Sequence, residues 1–448
     1  MQNLNRFSRI GFIFATAGSA VGLGNVWKFP YITGENGGGV FVLIYLLTIL
    51  FVGISVFIAE SYIGQKTNKN PVAAFQQLSK NSTNPIRFSG YAIFTALIIL
   101  AFYVVVIGWI LHYIVLSLTH LPSNVQEAQE LFLGFLQQDI KSQVFYFVVV
   151  FLFIAFVISK GVKEGIERIN KILMPTLIII LLGMLFYTMS LNGFGKAFHF
   201  LFYPEVAKFK TESILIAVGH AFFTLSIGMV VIATYAASLD HKVNIVKSSV
   251  IVAILDTVIA LMAGLVIFTI LFNANQEPSQ GAGLVFITLP ALFYEFGIFG
   301  NVLAVAFFVA LAFAGITSAI SILEPAVRYL EEEKNIPRKK GSYAISLLIG
   351  IVGLITLLAN TTSFGPLLTF ADKNLFDWFD YISSSILLPL GGILTAIFVG
   401  YFVDQQELRK HMLRFMSQKV YQIWLFSLRI IVPIAVGVVM MEKLGVFA

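Results

Sequence analysis

The sequence predicts an all-α integral membrane protein with eleven transmembrane helices. They form a five-plus-five inverted repeat, with discontinuous first and sixth helices and one extra C-terminal helix. Three observations carry this expectation. Of 448 residues, 58% are hydrophobic and only 12% charged, about half the charge of a soluble domain. Eleven segments meet the requirement of roughly 20 mostly apolar residues for one crossing of the hydrocarbon core. Two of them, first and sixth in order, are interrupted by small and polar residues, so the interruptions fall at matching places in two halves. A net charge of +6 is too thinly spread to track a phosphate backbone, which excludes a nucleic-acid binder along with a soluble enzyme and a disordered chain. The chain has no cysteine, so disulfide frameworks, thiolate metal sites and cysteine nucleophiles fall away together.

The spans are expected at 9 to 31, 39 to 64, 89 to 118, 143 to 160, 168 to 190, 213 to 238, 245 to 273, 299 to 329, 342 to 359, 375 to 403 and 421 to 442. Met1 to Arg9 lead into the first without a small-residue cleavage site, so it reads as a retained helix. No hydrophilic stretch is long enough for a separate soluble unit, which makes 1–448 one membrane domain. Its first repeat runs from about 7 to 190, its second from about 211 to 403, with helix eleven beyond. The apolar run Gly283 to Phe296 in the longest outer loop is too short to span and suits a re-entrant or capping hairpin.

Orientation follows the lysines and arginines. With the N-terminus inside, 21 of the 29 fall in inner loops and 6 in outer loops; Lys28 and Arg429 lie within spans. An odd number of spans then puts the C-terminus outside.

In the first span Ala20-Val21-Gly22-Leu23-Gly24-Asn25 places two glycines and an asparagine where a helix should be most regular, and each interior glycine costs about 1 kcal/mol relative to alanine. In the sixth, Phe223-Thr224-Leu225-Ser226-Ile227-Gly228 does the same. Close packing by small residues explains either one alone. The pair points to unwound backbone, which survives at mid-membrane only where it lines a site. Freed carbonyls there can hold a cation, and the amide ends of the half-helices face an anionic group.

Further residues fit that geometry, each with a plainer reading beside it. Thr317 and Ser318 on span eight offer hydroxyl oxygens to a hard cation, or bond back to their own helix. Asp256, a dozen residues into span seven, is a functional hypothesis by its depth alone. Tyr103 in span three is a donor for a carboxylate or a packed tyrosine. Glu60, late in span two, suits the amides released where span six unwinds, or is an interfacial charge. Lys28 and Asp380, near outer span ends, either pair as a gate or snorkel separately. His220, deep in span six, is expected to be neutral and bonded to a neighbour.

The stretch Ala17-Gly18-Ser19-Ala20-Val21-Gly22-Leu23-Gly24-Asn25-Val26-Trp27-Lys28-Phe29-Pro30-Tyr31, followed by Glu35-Asn36-Gly37-Gly38-Gly39, resembles the signature of the neurotransmitter:sodium symporter family. So do Phe222 to Met229, Ala314-Gly315-Ile316-Thr317-Ser318 and Phe376-Asp377-Trp378-Phe379-Asp380, and the resemblance covers essentially the whole chain. It implies a bacterial inner-membrane importer that couples one or two sodium ions to an amino acid. One sodium would be held by Gly18, Val21, Ala314, Thr317 and Ser318. The other would be held by Ala20, Asn25, Thr224 and Asp256 with the substrate carboxylate. The amino acid would lie with its carboxylate near Gly24 and Tyr103. Its side chain would face Ser19, Ala20, Ile99, Phe223, Thr224, Ser226, Met229, Ser318, Ala319 and Ile322, a roomy apolar lining that favours hydrophobic or aromatic substrates. Phe223 would close over it, with Lys28 and Asp380 as the outer gate.

Two departures from the family pattern carry expectations. Animal members bind chloride with a serine one turn beyond the position of Asp256; here that turn holds Ala260, so the fixed charge of Asp256 is expected to replace chloride. The arginine and tryptophan usual before span one are replaced by Asn3 and Arg6, leaving Arg6 with Glu332 as the candidate inner gate. A proton-coupled carrier of similar architecture, with Asp256 titrating, and a non-transporting amino-acid sensor are the alternatives. An intramembrane enzyme lacks support, since there is no His-Glu-x-x-His pattern and no serine and histidine dyad in the spans.

Overall fold

The computed structural model describes residues 6–80, 83–278 and 281–443; Asn3 lies outside them. Among these residues, nine continuous helices are long and apolar enough to cross a membrane: Gly39–Thr67, Pro85–Thr119, Ile140–Ser159, Val162–Thr188, Ile245–Asn273, Ile298–Glu333, Arg338–Leu358, Leu375–Phe402 and Gln418–Glu442. A tenth crossing is the pair Arg9–Ala20 and Gly24–Glu35, bent by 47°. At the sixth expected position stand two short helices, Thr211–Thr224 and Val231–Ala236, neither of them long enough to span alone. Both expected interruptions are therefore present, at Val21 to Leu23 and at Leu225 to Val230.

The packing follows from the repeat. The outer part of span one lies on span seven, and the two halves of span six lie on span two, the exchange that a five-plus-five relation requires. Spans three and eight form the most extensive helix pair, and spans five, seven and eight wall the inner half of span one. Exposed apolar side chains such as Leu47, Leu152, Phe186 and Leu347 face outward, where lipid rather than water is their solvent.

The apolar run of the longest outer loop forms a 3-10 turn, Gly281–Leu284, and a helix, Thr288–Tyr294, that folds inward. Phe286 is 2% exposed, its carbonyl accepts the Tyr113 hydroxyl at 2.7 Å, and its ring stacks on Phe132. The run is a capping hairpin. One departure from an all-helical chain is a two-residue ribbon, Thr369–Phe370 against Lys373–Asn374, on the outer side before span ten.

Candidate functional site

The first break is held open by side chains from three helices. Helix Arg9–Ala20 ends at Val21, whose ψ of 95° leaves the helical region. The Asn25 side chain then substitutes for the missing turn: its Oδ1 accepts the Gly22 amide at 3.0 Å and its Nδ2 donates to Asp256 Oδ1 at 2.8 Å. The Leu23 amide donates to the Tyr103 hydroxyl oxygen at 3.1 Å, which fixes that oxygen at the break. A Cβ at Gly22 would sit 2.7 Å from that oxygen, hence the glycine.

The second break runs through positive φ at Ser226, Gly228 and Val230 (53°, 85° and 57°). Gly228 is pressed against the Leu388 carbonyl of span ten, so both its conformation and its space exclude a side chain. The Gly228 amide donates to Glu60 Oε1 at 2.7 Å. Glu60 thus takes up backbone that the break exposes, as anticipated.

The breaks are tied together: the Ser226 hydroxyl donates to the Ser19 carbonyl at 2.7 Å. Ser318 bridges from span eight, its oxygen 3.1 Å from the Gly18 carbonyl, 3.0 Å from that of Ser19 and 3.5 Å from that of Val21. Thr317 follows the plainer reading, donating back to Phe313 and Ala314 at 2.9 and 3.0 Å, which leaves its oxygen lone pairs free. On the other side of the break Asp256 is fully buried. It accepts from Asn25, from the Thr224 hydroxyl at 2.9 Å and from the Tyr45 hydroxyl at 3.2 Å. All three donors are neutral, so the carboxylate charge lacks a protein counter-ion among the described residues, an arrangement that suits a cation.

Between the breaks lies a small cavity lined by Ser19, Ala20, Gly22, Gly24, Ile99, Tyr103, Phe223, Ser226, Met229, Ser318 and Ile322. Its free volume, about 10 Å³, is the space of one water. The buried Ser19 hydroxyl finds no hydrogen-bond partner among the described residues. Of the residues expected around a substrate, only Thr224 and Ala319 do not line the cavity; Thr224 turns to Asp256, while Ala319 is buried elsewhere in the packing. Above it a vestibule of about 430 Å³ reaches the outer face. Phe223 and Tyr103 line both spaces, so they form the partition. Lys28 sits over the Phe223 ring at 4.6 Å and 3.8 Å from Asp380; the expected outer pair is met, though loosely.

Two expectations fail. Arg6 pairs with Asp240 at 3.7 Å, not with Glu332. Glu332 instead accepts from Arg328 and from the Asn70 amide, each at 2.6 Å, because Arg328 lies one turn before it on the same helix. His220 is buried but neither ring nitrogen is hydrogen-bonded; it packs between Phe29 and Tyr45, whose rings offer no acceptor in reach.

The sequence reasoning missed Tyr45, Glu167 and Arg328. Glu167 pins the inner end of span one, accepting the Ser8 hydroxyl at 2.7 Å and the Ser8 amide at 3.2 Å. Arg328 donates to the Thr234 and Asn68 carbonyls and the Ser238 hydroxyl at 2.9 to 3.1 Å, joining the inner ends of spans two, six and eight. Glu167 and Arg328 are charges at helix ends, a pattern that positive-inside counting treats as topology alone.

The comparisons agree with this geometry. The model of the sodium:neurotransmitter symporter family matches residues 5–130 and 132–448. An uncharacterised sodium-dependent transporter of Bacillus subtilis is 34% identical over 98% of both chains. The crystal structure of MhsT in complex with L-phenylalanine superposes with a TM-score of 0.89 at 35% identity, covering 98% of this chain and 99% of that one. More distantly, the mouse sodium- and chloride-dependent GABA transporter 2 is 26% identical over 84% of this chain and 69% of its own. Whole-chain similarity, with two broken helices meeting at a buried carboxylate, leads to one conclusion: this is a sodium-dependent membrane transporter that belongs to the sodium:neurotransmitter symporter family.

Proposed function

We propose that the chain is a symporter importing an amino acid with a hydrophobic or aromatic side chain, driven by sodium and independent of chloride. The observation that carries this is the meeting of two opened backbone segments at one cavity, with Asp256 on one flank and the carbonyls around Ser318 on the other. One sodium would take the carbonyls of Gly18, Val21 and Ala314 with the hydroxyls of Thr317 and Ser318, a donor set of oxygens fit for a hard cation. A second would take Ala20, Asn25, Thr224 and Asp256, completed by the substrate carboxylate. That shared ligand makes each bind better in the presence of the other.

The Tyr103 hydroxyl and the amide end at Gly24 would receive the carboxylate, and Ile99, Met229 and Ile322 the side chain. The phenylalanine in MhsT and this apolar lining support a large hydrophobic substrate. Each sodium carried inward contributes about 2.3 kcal/mol per 100 mV. Occupancy would bias spans one, two, six and seven against the rest, with Phe223 and the Lys28–Asp380 pair closing the outer side. The basic inner loops support a cytoplasmic N-terminus and an outer C-terminus in a bacterial inner membrane.

Chloride independence rests on Asp256 together with Ala260, which offers no hydroxyl to an anion. Radiolabelled uptake into liposomes tests the whole reading. It should vanish when potassium replaces sodium and persist when gluconate replaces chloride. Uptake that follows a proton gradient without sodium would establish the proton-coupled carrier, and binding without counterflow the sensor. Competition by the twenty amino acids against one labelled substrate identifies the cargo.

A further inference from the structure

At the inner end of span two a separate cavity of about 200 Å³ is lined by Lys66, Glu407, Lys410, His411 and Arg414. Lys66 lies in the last turn of the helix Ile54–Thr67, and the other four come from the loop joining spans ten and eleven, with helix Gln405–Met412 inside it. The single carboxylate is engaged: Glu407 lies 3.0 Å from the Lys66 ammonium. Among the described residues Lys410 and Arg414 have no carboxylate partner. Arg414 donates to the His241 carbonyl at 3.2 Å and lies over the Phe415 ring.

The floor is His411, 7% exposed. The Gln65 amide donates to the Asp240 and Val243 carbonyls, both at 2.9 Å, which turns Gln65 Oε1 toward His411 Nε2 at 3.1 Å. That ring nitrogen is therefore the protonated one. Burial first, then the charges of Arg414, Lys66 and His241, hold the imidazole down at about 4. Lys410 and Arg414 thus bring positive charge to the cavity that no carboxylate among the described residues offsets. Positive-inside bias alone explains basic residues on this face. It does not explain their convergence from two separate elements on one cavity.

We propose that this cavity is a phosphate site, taking either the headgroup phosphate of an anionic lipid or a free phosphate ion. The planar Arg414 guanidinium and the two ammonium groups match a tetrahedral oxyanion. The loop also stands at headgroup depth: Tyr401 and Val420 beside it are half exposed and Leu413 within it is partly so, as suits contact with acyl chains. An occupant bridging Lys66 to Lys410 and Arg414 ties the inner end of span two to spans ten and eleven.

The test uses the full-length purified protein. Its thermal midpoint is followed as inorganic phosphate is titrated against chloride at matched ionic strength, and as phosphatidylglycerol is titrated against phosphatidylcholine. Wild type should be stabilised by at least one ligand. Stabilisation by phosphate alone identifies a free ion, and by phosphatidylglycerol alone a headgroup. Lys410→Gln and Arg414→Gln should each weaken the apparent affinity roughly fivefold, the factor that one basic residue contributes at an anionic surface. Lys339→Gln, an exposed cation in the first turn of helix Arg338–Leu358 on the same face, should change nothing. The proposal is overturned if neither ligand moves the midpoint, or if Lys339→Gln weakens binding as much as Lys410→Gln does.

Discussion

Replacing Asp256 by asparagine removes one charge at nearly constant shape. The carboxylate accepts from Asn25, Thr224 and Tyr45 at 2.8 to 3.2 Å and has no cationic side chain beside it among the described residues, so in the proposed site its charge serves the ion. Two unit charges about 4 Å apart attract by about 4 kcal/mol at an effective permittivity near 20. An asparagine carbonyl dipole recovers part of that, which leaves a loss of about 2 to 4 kcal/mol and a rise of roughly 30- to 1000-fold in half-saturating sodium. The assay is sodium-dependent binding of labelled amino acid by scintillation proximity, with the thermal midpoint as the folding control. A variant that folds normally and needs sodium within about threefold of wild type would refute the reasoning. Asp256→Ser extends the test, because a site that lost its fixed charge should then require chloride; unchanged indifference to chloride would sink the idea that Asp256 replaces that anion.

Other outcomes follow from the same contacts. Gly228→Ala should abolish uptake and cost at least about 1 to 2 kcal/mol of stability, read as a lower thermal midpoint, since φ is 85° and the Leu388 carbonyl occupies the space; Gly183→Ala, which meets nothing within 4 Å, should be silent. Lys28→Arg should tighten the outer gate by up to about 1 kcal/mol through bidentate contact with Asp380, measured as slower outward release of substrate by about fivefold. Arg328→Ala frees the inner ends of spans two and six from three hydrogen bonds to span eight. Because the chain has no native cysteine, a single reporter at Ala237, 3% exposed, should then be alkylated from the inner side several times faster.

The spans were legible because a bilayer imposes length and apolarity on every crossing, and each expected segment meets helix in the structure. Boundaries drifted where loops cap or extend helices: the fifth span begins at Val162 rather than 168 through a π-turn, and the third at Pro85 rather than 89 through a 3-10 stretch. The breaks were legible because glycine and asparagine at mid-span contradict helix propensity outright. The inner gate was not, since pairing at a helix end depends on which of several nearby charges a folded helix brings within reach; Arg6 met Asp240 because Phe7 is hydrogen-bonded to the Ser238 carbonyl beside it.

Composition and the period of apolar runs by themselves determined a helical membrane chain with two opened helices, because those are local demands of hydrocarbon on backbone. Only the tertiary structure decided which groups meet. Tyr45 reaches Asp256 across 211 positions, Ser318 gathers carbonyls 297 to 300 positions away, and His220 is left between rings with no acceptor. Such contacts are set by how helices cross, which no local pattern encodes.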